Sequence, residues 1–285
     1  MFDQANNLRQ KTRGESGKTN TRIIAIASGK GGVGKTHITV NLGLALQRLN
    51  QRVLVLDADL GMANIDVLLG LTGRYNLSHV LQGKCSLGET LLKGPEGLDI
   101  LPGTSGIETL VNISSTEAKR LMDASAQLGA IYDLIFVDIG AGIHKSNINF
   151  ISACDEVIVV LTPEPTAIMD AYSLIKILNN HHDNCRIGLL INQFNSYQEG
   201  IEVANRMKTV ILEYLSITVE IIGLIPFDIH VRKAVKKQSA LLELFPKSKA
   251  ARAIMNLGRH IVNIKTSQNP KGLGGFTDRF LSLFK

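Results

Sequence analysis

Residues Gly29-Lys30-Gly31-Gly32-Val33-Gly34-Lys35-Thr36 fit the pattern GxxxxGK[ST] without a gap. Glycines in such a loop let the backbone wrap closely around phosphate oxygens. Amides there and at the start of a following helix then point at the negative charge. Lys35 is placed to reach the β- and γ-phosphates of a nucleotide, and the Thr36 hydroxyl to ligate Mg²⁺. The surroundings agree with this chemistry: the apolar run Ile23–Ala27 precedes the loop and a helical pattern over 35–49 follows it. A glycine-rich turn formed by chance has no reason to match the four fixed positions of this eight-residue pattern between a strand and a helix.

Three carboxylates stand at comparable places. Asp57 closes the run Val53–Asp57 and Asp59 follows two residues on; residues two apart on an extended chain point to the same side. In an open parallel sheet, the carboxyl edge of the strands is where ligands bind. Capping of a following helix is the plainer alternative for this pair. Leu134-Ile135-Phe136-Val137 runs into Asp138, a position suited to holding Mg²⁺ through water, with a simple strand-end cap as the alternative. Gly140 and Gly142 follow and permit a switch loop able to respond to a γ-phosphate.

These groups need a scaffold that brings strand ends together. Strand patterns occur at Ile23–Ala27, Val53–Asp57, Leu98–Leu101, Leu134–Asp138, Glu156–Leu161, Ile187–Asn192 and Val219–Leu224, several of them apolar throughout. Helical patterns lie near 35–49, 115–128, 166–180, 200–215 and 247–264. The alternation predicts an α/β fold with a doubly wound, mostly parallel sheet in one domain over 21–267. Residues 1–20 are too polar to bury a core and are expected to form a mobile arm. Pro270 and three glycines mark 268–275 as a linker, leaving 276–285 as a separate terminal helix.

The early lysine narrows the reading. GKGGVGKT, with Lys30 as well as Lys35, resembles the deviant Walker A motif of the MinD/ParA class of P-loop ATPases. The resemblance implies ATP/ADP and Mg²⁺ as ligands, slow hydrolysis, and a dimer formed with ATP in which Lys30 reaches the partner's nucleotide. It gives Lys30, Lys35 and Asp59 catalytic parts: Asp59 would position the attacking water near the Mg²⁺, with Asp57 as a supporting carboxylate of the switch. Thr36, Asp59 and Asp138 form the metal environment. Asn192, Pro226, Phe227 and Asp228 match positions that contact the base in relatives, although an asparagine at a strand end is as readily a turn residue. His37 departs from the usual Thr or Ser, so its backbone amide is expected to serve the α-phosphate. Gly140 replaces the usual proline of this loop, which suggests greater mobility there.

Both ends carry further signals. On a wheel of about 100° per residue, Phe276, Phe280, Leu283 and Phe284 cluster with Leu281 at the edge, opposite Asp278, Arg279, Ser282 and Lys285. This arrangement is similar to an interfacial membrane anchor; a helix docked on the core is the alternative. Asp3, Gln4, Ala5, Leu8 and Arg9 match a DQAxxLR motif, and with the loop and tail the whole chain resembles the FlhG (YlxH, FleN) family. That resemblance implies control of flagellar number and placement, stimulation of the FlhF GTPase through the arm, possible contact with flagellar switch (C-ring) proteins, and reversible residence on the cytoplasmic face of the membrane. A division-site ATPase of the MinD type, a ParA-type nucleic-acid partitioning factor and a non-hydrolysing scaffold are the competing readings. An apolar tail disfavours nucleic acid as partner.

Composition bounds the rest. The net charge of +6 selects no partner class. Cys85, Cys154 and Cys185 have neither metal nor redox spacing and are expected to be reduced thiols. No apolar run approaches the ~18 residues of a membrane span.

Overall fold

The computed structural model describes residues 21–59, 64–103, 115–181, 185–264 and 272–282. The arm residues Asp3, Gln4, Ala5, Leu8 and Arg9, the tail residues Leu283 and Phe284, and the side chains of Phe280 and Leu281 lie outside what is described.

In chain order the elements are β1 (Arg22–Ala27), α1 (Lys35–Arg48), β2 (Val53–Ala58), α2 (Ile65–Leu69), α3 (Leu77–Leu81), α4 (Leu87–Thr90), β3 (Leu92–Lys93), β4 (Asp99–Leu101), α5 (Ser115–Ile131), β5 (Leu134–Ile139), α6 (Lys145–Ala153), β6 (Glu156–Leu161), α7 (Pro165–His181), β7 (Arg186–Phe194), α8 (Tyr197–Leu215), β8 (Glu220–Pro226), α9 (Ile229–Lys236), α10 (Leu241–Leu244), α11 (Lys249–Asn263) and α12 (Gly272–Ser282). The strands form one sheet in the order β3-β4-β2-β5-β1-β6-β7-β8. Neighbours are parallel except β3, which runs antiparallel to β4.

Apolar strands arise because both faces of this sheet are covered. Ile23, Ala25 and Ala27 enter one core while Ile24 and Ile26 enter the other, and β5 divides likewise into Ile135, Val137 and Ile139 against Leu134 and Phe136. Helices α5 to α8 and α12 cover the first face; α1, α10 and α11 cover the second. Each large side chain buried in this way contributes about 1.5–3 kcal/mol relative to exposure.

The sheet confirms the predicted fold class and all seven anticipated strands. It adds β3, whose two residues are too few to show alternation. Helices α2, α3, α4, α6, α9 and α10 also went unread. Most hold one or two turns, too short for a 3.6-residue period to emerge.

The tail differs from the expectation of a linker through residue 275. Helix α12 begins at Gly272, and Leu273 and Phe276 are buried at 8% and 9% exposure. It packs on α5, α6 and β1. Thr277 Oγ1 lies 2.7 Å from Ser125 Oγ, and the Arg279 guanidinium reaches Asp155 Oδ1 at 3.3 Å. Leu121, Ala124, Leu128 and Phe150 line the cavity beneath it, so the part of this helix that bears Leu273 and Phe276 meets protein. Phe276, expected to face lipid, is turned inward in this arrangement.

Candidate functional site

Strand order creates the site. From β1 the chain crosses β5 to reach β2, and from β5 it crosses β1 to reach β6. The crossovers therefore diverge at β1 and β5 and open a crevice above their carboxyl ends, where ligands bind in such sheets. The loop after β1 sits there. In parallel register, Asp57 of β2 pairs with Asp138 of β5, and Ile26 of β1 pairs with Asp138.

The loop 29–34 turns through left-handed conformations at Gly32 (φ 79°) and Gly34 (φ 94°), which only glycine adopts without strain. A Cβ on Gly34 would come within 2.7 Å of Asn192 Nδ2. Gly34 also caps α1. The amides of Lys35, Thr36 and His37 lie ahead of the first helical hydrogen bond, from Ile38 N–H to Gly34 O at 3.0 Å. They are the donors a phosphate needs.

Lys35 is buried, and burial holds its pKa below the usual lysine value, opposed by the negative charges of Asp138 and Asp59. Asp138 is fully buried. Burial pushes its pKa up to about 7, against the hydrogen bond from Thr36, the charge of Lys35 and the hydrogen bond from Thr39. Thr39 Oγ1 lies 3.0 Å from Asp138 Oδ1. A carboxylate so poorly solvated, bonded to the Thr36 hydroxyl beneath a phosphate cradle, fits the donor set of a Mg²⁺ site.

Asp57 has a more structural place than the sequence suggests. Its Oδ1 accepts from Asp59 N–H at 3.0 Å, and its Oδ2 from Asn64 and Ile65 N–H at 3.0 and 3.2 Å. It ties both ends of the segment after β2. Asp59 faces Asn64 Nδ2 at 3.4 Å. A Cβ on Gly140 would lie 3.0 Å from Asp59 Oδ1, so the loop after β5 packs directly on this carboxylate. Gly142, at φ 93°, donates its N–H to Ser28 O at 3.0 Å.

Lys30 is held at the rim. Its Nζ lies 2.9 Å from Glu164 Oε2 and 2.9 Å from Thr166 Oγ1, both at the start of α7.

Beyond the loop, Gly34, His37, Asn192, Pro226, Phe227 and Asp228 do converge on one pocket. Asn192 Nδ2 donates to Val33 O at 2.8 Å, so part of its amide supports the loop. Asp228 caps α9: Oδ1 accepts from His230 N–H at 3.0 Å and Oδ2 from Ala250 N–H at 3.0 Å. These bonds draw its pKa down to about 2 against the opposing effect of burial. Its side chain thus fastens α9 to α11. The His37 ring is kept neutral by burial, which lowers its pKa to about 4, and its Nε2 has no protein partner.

Sequence reasoning missed Glu164, Thr166, Arg232 and Asn147. Arg232 stands over the Phe227 ring with Cζ 5.8 Å from its centroid. Asn147 lies on α6, whose nine residues offer few positions to show a helical period.

Fold and site together define a P-loop nucleotide-binding protein with a second loop lysine. Residues 24–242 match the model of the CobQ/CobB/MinD/ParA nucleotide-binding domain. The antiactivator FleN of Pseudomonas aeruginosa is 42% identical over 261 residues, covering 91% of this chain and 93% of that protein. The flagellum site-determining protein YlxH of Helicobacter pylori is 34% identical over 98% of this chain and 96% of its own length. Among solved structures, the septum site-determining protein MinD of Pyrococcus horikoshii, complexed with Mg-ADP, superposes with a TM-score of 0.69 at 28% identity, covering 87% of this chain and 100% of that one. The chain belongs to the FleN/YlxH (FlhG) family of MinD/ParA-type ATPases.

Proposed function

We propose that this protein is an ATP- and Mg²⁺-dependent dimerisation switch that controls flagellar number and placement. The observation that carries the reading is the meeting of Lys35, Thr36, Asp59 and Asp138 beneath the loop, with Lys30 at its exposed rim. Lys35 and the loop amides bind the phosphates. Thr36 and Asp138 would hold Mg²⁺, which offsets phosphate charge when bound. Asp59 orients a water in line with the γ-phosphate; the new O–P bond forms as the bond to the ADP oxygen breaks. Such catalysis is mainly positioning and electrostatics.

A second copy completes the site by supplying its Lys30. Exposed Ile143 and Met169, at 47% and 62%, stand beside the switch loop and the start of α7 and support a covering partner. Release of α12 would then expose an apolar face to lipid, and two copies would bind by avidity. The arm residues Asp3, Gln4, Ala5, Leu8 and Arg9 would stimulate an FlhF-type GTPase.

Sizing the chain with ATP, ADP and no nucleotide, with and without anionic vesicles, tests this. A dimer and vesicle binding specific to ATP are expected. A monomer under all conditions refutes the switch, and equal vesicle binding by a 1–271 truncation refutes the anchor. A peptide of residues 1–20 should raise FlhF GTPase turnover; no effect and no complex contradict that part.

A further inference from the structure

The resembled motif often has proline where Gly140 stands, so the loop after β5 is expected to be mobile. The structure shows a different restraint. Asn147 is 4% exposed, and its Nδ2 lies 3.0 Å from Gly140 O, 3.3 Å from Ala141 O and 3.2 Å from Gly142 O. Three carbonyls converging on one side-chain end fix which end it is, since an amide oxygen there would face three other oxygens. The two amide hydrogens are shared among consecutive carbonyls of a loop that touches Asp59 on one side and Ser28 on the other.

We propose that Asn147 is the positioning residue of the switch loop: it sets the loop's resting shape and carries its displacement into α6. The inference rests on the reading of residues 140–142 as the segment that meets the γ-phosphate. Side-chain hydrogen bonds to main-chain carbonyls replace the stiffness that a proline ring would give the chain itself. They differ from a ring in one respect: they tie the loop to another element. Asn147 sits in the first turn of α6, whose body packs against α12. A nucleotide that draws Gly140 and Gly142 inward therefore pulls on the N-terminus of α6 and on the groove that holds the terminal helix. Without the amide, the loop could move while α6 stayed still.

The test uses the full chain with Asn147→Ala, Asn147→Asp and Asn147→Gln. Fluorescent ADP and a slowly hydrolysed ATP analogue are titrated, and amide exchange is followed over residues 139–150 and 272–282. The variants should bind ADP as the parent does, since ADP lacks the γ-phosphate that this loop is read to meet. Preference for the triphosphate should fall about tenfold in Asn147→Ala, equivalent to ~1.4 kcal/mol, and further in Asn147→Asp, whose carboxylate faces three carbonyls. Asn147→Gln, which keeps the donor, should recover part of it. Exchange at 140–142 should rise without nucleotide, and the triphosphate should no longer alter exchange in α12. Parent-like preference and exchange in all three variants overturn the proposal. So does an equal loss of ADP and triphosphate affinity, which would mark a merely structural residue. If the parent itself does not distinguish the two nucleotides, the γ-phosphate reading fails, while exchange at 140–142 still decides whether Asn147 restrains the loop.

Discussion

Lys30 Nζ and Glu164 Oε2 stand 2.9 Å apart, joining the phosphate loop to the start of α7 within one chain. The lysine that would serve a partner's nucleotide is thus occupied at home. Both groups are exposed, at 39% and 65%, and such a bridge is worth ~0–1 kcal/mol. A partner's triphosphate is a stronger attraction, so the contact restrains the lysine without locking it.

Replacing Glu164 by Gln should free Lys30 and strengthen ATP-dependent dimerisation by no more than about fivefold. Light scattering across a concentration series measures this. A weaker dimer would mean that Glu164 contributes to the interface itself. Lys30→Ala should abolish the dimer.

Asp59→Ala should retain nucleotide affinity, because Lys35 and the loop amides remain, yet lose turnover by about 10²-fold or more. Single-turnover hydrolysis with ATP prebound separates the two steps. Parent-like turnover removes Asp59 from the mechanism.

Asp228 should make stability pH-dependent. Its folded pKa is held to about 2, below the ordinary 3.8, by main-chain donors. Its contribution is fully present above pH 3.8 and is lost as pH falls through about 2. That shift corresponds to about 2 kcal/mol. Urea unfolding of the parent and Asp228→Asn should differ by about this amount at pH 6 and converge between pH 4 and 2. A constant difference would place the effect elsewhere.

Arg279→Ala should loosen α12 by removing its contacts with Asp155 and Cys154 O. These partly exposed bonds are worth ~1 kcal/mol, so vesicle binding without nucleotide should rise up to about fivefold. Unchanged binding would show that Leu273, Phe276 and Thr277 hold the helix down without Arg279.

Much of the site was legible because its chemistry is contiguous. Gly29 through Thr36 is one uninterrupted segment, and Asp57, Asp59 and Asp138 lie at or just past the carboxyl ends of two strands, β2 and β5, whose apolar runs are plain. Glu164 and Thr166 were not legible: they lie more than a hundred residues from Lys30, and only the placement of β6 beside β1 brings α7 to the loop. Asn147 was hidden in a nine-residue helix with few positions to show a period. Asp228 is assigned to the base only by the family resemblance; that its carboxylate also takes the Ala250 amide of α11 was not legible, because that partner lies 22 residues on.

The sequence by itself determined the phosphate cradle, the doubly wound sheet and the existence of an amphipathic end. Each follows from spacing along the chain: consecutive glycines, alternating buried faces and a helical repeat. Only the tertiary structure decided what the apolar face at Phe276 meets, which carboxylate holds Lys30 and which amide restrains Gly140 to Gly142. An apolar surface is satisfied equally by lipid or protein, and a charge or carbonyl by any partner of the right kind. The choice among partners belongs to whichever segment the fold brings close.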